Sequence, residues 1–290
     1  MRRILISSIF IVLTTCVLHA QNVKFGIRGG MNVTHMSVAE STPISEGYNS
    51  RIAPAWGVFT DLQLNQTFSF RFGVEYSSLG GKRDGTQALP SQQFITDIGN
   101  SIGMGISDQQ LAALGALMMN LPPYYYANNV DNVAKFDYFT LPLLAQFGRN
   151  IGETPWSVYV NVGPLVSFTL SGKQIAEGTS RMYSDASATE TIWEALSPQI
   201  QGFVANEFPD IDEKMSSPVV FGETNTTGEL KSINFGIAAN AGLRHQSGKN
   251  YLFLEVGGNY GFRTVQDNED NGSNRLGAVS VMIGYAFSLF

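Results

Sequence analysis

The sequence predicts an all-β protein: a closed antiparallel transmembrane barrel of about eight strands, of the kind found in outer membranes. Three observations carry that expectation. The first residues read as an export signal, eight later segments alternate apolar and polar residues, and the connections between those segments are short and long in turn.

The N-terminus sets the compartment. Arg2 and Arg3 form a positive start, residues 4–17 are apolar, and Leu18-His19-Ala20 before Gln21 reads as a small-residue cleavage site. The apolar stretch is too short to span a bilayer comfortably, and a strand-like segment follows at once. Residues 1–20 are therefore expected to be a cleaved signal and residues 21–290 the barrel. Lipid attachment at Cys16 is the second reading. Thr15 stands where a smaller residue is usual, and Val17 and Leu18 prolong the apolar run past the cysteine. Cleavage would leave no cysteine, so stability must come from elsewhere than disulfides. A closed ring supplies it, because every backbone polar group is paired around the barrel.

Composition narrows the class further. The 290 residues carry 18 basic and 24 acidic side chains, a net charge of -6 that becomes -8 once Arg2 and Arg3 are removed. A nucleic-acid partner would call for a basic stripe, so that class is set aside. After the signal no apolar run approaches the ~18 residues a membrane helix needs, whereas charge is low and glycine abundant.

The strands then follow in order. In the first, Val23, Phe25, Ile27, Gly29, Met31 and Val33 alternate with Lys24, Gly26, Arg28, Gly30, Asn32 and Thr34. The second, near residues 52–64, sends Trp56, Val58, Thr60, Leu62 and Leu64 outward, with Gly57, Asp61 and Gln63 inward. In the third, Phe68, Phe70, Phe72, Val74 and Tyr76 oppose Ser69, Arg71, Gly73, Glu75 and Ser77. The remaining five begin near Phe139, Trp156, Ile233, Leu252 and Val279 and repeat the pattern. Each is near the ~9–11 residues a tilted membrane strand requires. One face suits lipid and the other a polar lumen.

Connections at residues 64–67, 148–155 and 245–250 are short; those at roughly 35–51, 82–135, 172–231 and 265–275 are long. Outer-membrane barrels show that alternation, with short periplasmic turns and long extracellular loops. A soluble sandwich has no reason to sort its loops by end. Two long loops carry helical signals. Ser107 and Gln110 form a capping-box pattern ahead of Leu111, Leu114, Leu117, Met118 and Leu121, and Ser197-Pro198 restarts a helix after Ile192 and Leu196. Residues 172–230 hold ten acidic and three basic side chains, a local net charge of -7.

With strands and loops placed, Phe25-Gly26-Ile27-Arg28-Gly29-Gly30-Met31-Asn32 resembles the first strand of the PorT-like outer-membrane β-barrel family of Bacteroidetes-type, Gram-negative bacteria. Tyr138-Phe139-Thr140-Leu141-Pro142-Leu143-Leu144 is similar to that family's aromatic-x-x-Pro-Leu-Leu strand, and Asn161-Val162-Gly163-Pro164 to the Gly-Pro of the next. Phe235-Gly236 with Gly242, and Gly284-Tyr285-Ala286-Phe287, resemble the sixth and closing strands. The resemblance covers the strands but not loops 82–135 and 172–231. It implies fold, outer-membrane location and a link with the machinery that exports proteins across that membrane; no catalytic motif comes with it. Phe290 departs from the usual terminal aromatic, being out of phase with Val279 to Phe287.

Chemistry is sparse. His19 leaves with the signal, while His35 and His245 fall at opposite ends of the barrel, ~25 Å apart or more. His35 beside Ser37 is the one conceivable base and nucleophile on the outer rim, the weakest of three functional readings. No catalytic residue, metal site or cofactor is expected. The run 267–271 has calcium-ligand composition without EF-hand spacing, as befits a solvated loop tip.

The inward phase is more informative. It gathers Lys24, Arg28, Arg71 and Arg244 with Asp61, Glu75 and Glu255. An interior this narrow is filled by side chains, and buried charges must pair. A salt-bridge network plugging the lumen is expected, with Lys24, Asp61, Arg244 and Glu255 towards the periplasmic end; a selectivity filter of a small solute channel is the alternative. Trp56, Trp156, Tyr76, Tyr260 and Tyr285 suit interfacial girdles. The loop helices would pack as a cap over the mouth, or dock envelope proteins such as secretion components through Tyr124, Tyr125, Tyr126 and Trp193. The chain reads as a non-enzymatic outer-membrane component, with membrane lipid as its first partner.

Overall fold

The computed structural model describes residues 22–91, 107–268 and 272–288. The expected signal with Cys16, residues 92–106 of the first long loop, residues 269–271 and the terminal Leu289 and Phe290 lie outside the described residues.

Eight long antiparallel strands form a ring: β1 (Asn22–Val38), β2 (Arg51–Gln63), β3 (Phe68–Arg83), β6 (Val130–Asn150), β7 (Trp156–Ser180), β10 (Ile233–Ser247), β11 (Asn250–Gly261) and β12 (Asn274–Ser288). Each pairs with the next, and β12 pairs with β1 from Lys24↔Ser288 to Val38↔Asn274, so no edge is left open. Closure matters because an unpaired edge would leave a row of backbone donors without partners. Among the described residues no helix is long and apolar enough to cross a membrane.

The period of two appears directly in the burial. Ile27, Met31, Trp56, Val58, Val160, Val256 and Val281 are exposed on the outer face, while Arg28, Asn32, Phe59, Arg71 and Glu255 are buried inside. Leu62 differs from its expected exposure: it has the outward phase but is only 2 % exposed. Its cross-strand neighbours are Val23 and Phe70, and bulky partners at such pairs cover one another.

Inward glycines make the ring fit its contents. A side chain at Gly284 would meet the Phe253 ring at 2.3 Å, and one at Gly242 the Tyr159 ring at the same distance. Each bare backbone thus leaves the space that a neighbouring aromatic ring occupies.

The strands outrun the expected loop boundaries. Loops expected at 82–135 and 172–231 give up residues 130–135 to β6 and 172–180 to β7, which stay paired as far as Val130↔Gly178. The register shifts between Asp137 and Tyr138. The extra residue is Leu170 on β7, so β6 keeps its phase. The sequence pattern stops at Phe139 because beyond it the polarity inverts, with Ala134, Phe136 and Tyr138 inward and Asp131 and Lys135 outward.

Among the described residues, beyond the ring at its long-loop end, stand two short hairpin strands, β4 (Gln87–Pro90) and β5 (Tyr124–Ala127), and four helices: α1 (Asp108–Asn120), α2 (Ile192–Ala195), α3 (Pro198–Glu207) and α4 (Ile211–Ser216). Two further strands, β8 (Val219–Val220) and β9 (Glu223–Asn225), pair with the projecting end of β7. Ser107 caps α1 with a full capping box, and Ser197 caps α3 with Pro198 in its first turn, as the sequence indicates. A second capping box, Thr191 with Glu194 at α2, was not read from the sequence.

Candidate functional site

The ring's interior is layered. In the half nearer the short turns, Arg71 is 0 % exposed and directly opposite Asp61 across the β2–β3 pair. Its Nε donates to Asp61 Oδ1 at 2.8 Å and its Nη2 to Oδ2 at 3.1 Å, a bidentate fork. The third arm, Nη1, crosses the lumen to Glu255 Oε2 at 2.9 Å. Arg28 donates through Nη1 to Glu255 Oε1 at 2.6 Å and through Nη2 to Glu75 Oε1. Glu75 comes within reach because Gly57, with no side chain, stands between it and Arg28 in the register.

Hydroxyls and amides complete the acceptors. Tyr159 Oη and Asn161 Nδ2 each donate to Glu255 Oε2 at 3.0 Å, and Tyr251 Oη donates to Asp61 Oδ2. Aromatic faces shield the guanidinium of Arg71: Phe59 lies 4.2 Å and Phe253 5.1 Å from its carbon. Charges removed from water are stable only when so fully partnered. Losing one partner typically costs about 3–5 kcal/mol.

Five of the seven expected lumen charges thus join one ion-paired network: Arg28, Asp61, Arg71, Glu75 and Glu255. Lys24 and Arg244 do not. Both lie over the ring of Tyr251, at 5.0 and 4.2 Å, because Arg71 already occupies both oxygens of Asp61, the carboxylate opposite Lys24 in the register. The sequence reading missed Tyr159, Tyr251, Asn161, Phe59 and Phe253. Their signal was available: each is a large or polar side chain at an inward position, and several face an inward glycine.

Above the network lies a chamber of about 50 Å³ with a mixed lining, polar at Asn32, Ser77, Thr140 and Asn240 and apolar at Leu165 and Met282. It has room for only a few waters. Next comes an apolar plug. Met36, Leu79, Phe136, Tyr138 and Leu276 point inward from the strands, while Leu230 and Val265 fold in from loops. The connection after β1 is tied down over the same end, with Ser273 donating to Ser45 Oγ and Asn274 to the Ser45 carbonyl, each at 2.7 Å.

The lid has its own core. Leu117 of α1, Ile192 of α2, Val204 of α3, and Ile211 and Met215 of α4 are buried together with Leu89, Tyr125, Val130 and Met182. This corrects one expected docking residue. Tyr125 is 8 % exposed and belongs to the lid core, because alternation along β5 turns it opposite to Tyr124 and Tyr126. Those two are half-buried and contact each other edge to face, and Trp193 is half-buried against the same core.

Two lid carboxylates are held below the usual range. Backbone N–H groups of Glu190, Thr189 and Ser187 converge on Asp185, the Glu190 amide contributing most. Glu194 is held down first by the Thr191 amide, then by the Thr191 hydroxyl. On the rim, His35 faces outward, whereas Ser37 Oγ contacts Tyr260 Oη at 3.4 Å and donates to the Arg275 carbonyl at 3.3 Å. His245, at the other end, packs on Trp156 with ring centroids 4.7 Å apart.

Comparison with known proteins gives one family match: the model of the outer membrane protein β-barrel domain fits residues 19–267. No curated protein sequence matches the chain. Among solved structures, the chain is similar to the attachment invasion locus protein Ail of Yersinia pestis, with 12% identity over 92% of this chain and 100% of that one and a TM-score of 0.34. A major outer membrane protein of Thermus thermophilus shares 12% identity over 92% and 99% of the two chains, with a TM-score of 0.40. OprG of Pseudomonas aeruginosa shares 9% over 93% and 97%, with a TM-score of 0.34.

Proposed function

This chain belongs to the outer membrane protein β-barrel domain family, and from that premise we propose that it is a non-enzymatic, non-conducting barrel whose task is to hold a folded extracellular lid at the cell surface. The protein resides in the outer membrane, with its eight long strands crossing it. One observation carries the reading: the interior is filled by an ion-paired network and an apolar plug, while the loops beyond them fold around a separate core. A filled lumen has no path to conduct through, and a lid with its own core offers a shaped surface for envelope proteins.

The PorT-like strand motifs support a finer version, in which the partners belong to the protein-export machinery and the host is of the Bacteroidetes type. Half-buried Tyr124, Tyr126 and Trp193 remain the candidate contact residues.

The test is capture from native membranes by the intact chain and by a chain whose residues 107–121 and 181–221 are replaced with short linkers. Secretion components should co-purify with the intact chain alone. Identical captured sets from both chains would refute the lid's role, provided the shortened barrel still folds in detergent.

A further inference from the structure

Lys24 and Arg244, left outside the ion-pair network, mark a separate site. We propose that the periplasmic mouth of the lumen binds one small monovalent anion, a halide or a single carboxylate group, between these two side chains.

The charge balance comes first. The lower lumen holds four cations, Lys24, Arg28, Arg71 and Arg244, against three carboxylates, Asp61, Glu75 and Glu255. Arg28 and Arg71 engage all three carboxylates. Asp61, the nearest to the mouth, already accepts two bonds from Arg71 and one from Tyr251. One positive charge therefore has no counterpart among the described residues of the cluster.

The geometry places that charge at one spot. Nε and Nη2 of Arg244 are buried without an acceptor, and the guanidinium lies over the rings of Tyr251 and Tyr159, at 4.2 and 4.8 Å. Lys24 Nζ donates over a long 3.5 Å to Gln246 Oε1 and lies over the Tyr251 ring. A ring face attracts a cation but accepts little from its N–H groups, so the two Arg244 donors stay unsatisfied where burial makes that costly. Both side chains line a cavity of about 30 Å³ with Gln63, Asn65, Ser69, Gln146 and Asp61, whose two oxygens are already engaged by Arg71 and Tyr251. That volume is of the order of two or three water-sized spheres. It admits a halide or the head of one carboxylate. Asn65, Gln66 and Thr67 of the β2–β3 turn form its rim, so the anion enters from the periplasm.

Crystals of the full chain in detergent, soaked in sodium bromide, test the assignment. Anomalous scattering should place bromide in contact with Arg244 and Lys24, and the peak should vanish in both Lys24→Gln and Arg244→Gln. In solution the wild-type melting temperature should be higher in chloride than in a bulky sulfonate at equal ionic strength, rising with chloride concentration as expected for a ligand of the folded state. Lys24→Gln, the milder change, should shift that dependence at least tenfold to higher chloride. Soaks with formate and with a tripeptide tell the sources apart: displacement of bromide by formate alone assigns the site to free ions, and displacement by both assigns it to a carboxylate on a larger molecule. Absence of bromide from the wild-type mouth, or a chloride dependence identical in all three chains, would overturn the proposal.

Discussion

In the lower lumen, charged side chains fill the interior and apolar ones cover the outside; in the extracellular lid, apolar residues fill the interior and the acidic ones face water. The solvent explains the inversion. Each strand has two faces, and lipid claims the apolar one, so in the lower lumen the charges fall to the inner face, with Phe59 and Phe253 stacked on the Arg71 guanidinium. Above the bilayer, water surrounds the chain, and helices α1 to α4 bury their apolar stripes in the ordinary way. The two interiors therefore fail differently. A lumen residue carries several directed bonds at once, whereas a lid residue contributes area.

The sharpest way to break the comparison is to remove the hub. Arg71→Met should lower the stability of the barrel by about 3–5 kcal/mol, since Asp61 would lose its ion-pair partner inside the ring and Glu255 one of its two. Urea unfolding in micelles reads this directly, and a loss below about 1 kcal/mol, the scale of a surface pair, would sink the hub assignment. Leu117→Ala should cost the lid about 2–5 kcal/mol through the cavity it leaves. Protease sensitivity should rise within residues 107–127 and 181–221 while barrel unfolding stays unchanged. The two changes combined should add, because they touch no common neighbour; coupling between them would mean the lid and lumen are one unit.

Gly284→Val probes the fit of the ring. The added side chain must displace the Phe253 ring, an overpacking cost of about 1–3 kcal/mol on barrel unfolding. Thr191→Ala removes the α2 capping box and should weaken the lid by about 1 kcal/mol, visible as faster amide exchange in residues 191–196.

Acid should produce the smallest effect, in the lid. Asp185 and Glu194 both titrate below their unfolded values. Their contribution is present at neutral pH and is lost as pH falls through the depressed values. Proteolysis of the lid should thus accelerate in acid, and Asp185→Asn should flatten that profile. An unchanged profile would show that these carboxylates do not hold the loop.

Much of this was legible in the sequence because the barrel obeys a rule of two. Alternation from Val23 to Val33, or from Phe235 to Leu243, fixes which residues face lipid, and with it the inward charges. Where a strand runs on beyond the lipid, the rule changes sign. Residues 130–138 of β6 keep their alternation but invert its polarity, apolar Val130, Ala134, Phe136 and Tyr138 facing inward and Asp131 and Lys135 outward, so the strand did not match the lipid-facing pattern. Pairing choices were also hidden. Phase puts Lys24, Asp61 and Arg71 in one lumen, but only three-dimensional reach decides that Arg71 takes both oxygens of Asp61 and leaves Lys24 without a carboxylate. Leu62 shows the same limit on the outer face.

Planar-bilayer recording of the purified full chain tests the filled interior most directly. A sealed barrel predicts no stable conductance at any holding potential that leaves the bilayer intact. A steady open current from the wild-type protein would contradict it, since ions would then be passing through the space assigned to Arg28, Arg71 and Glu255.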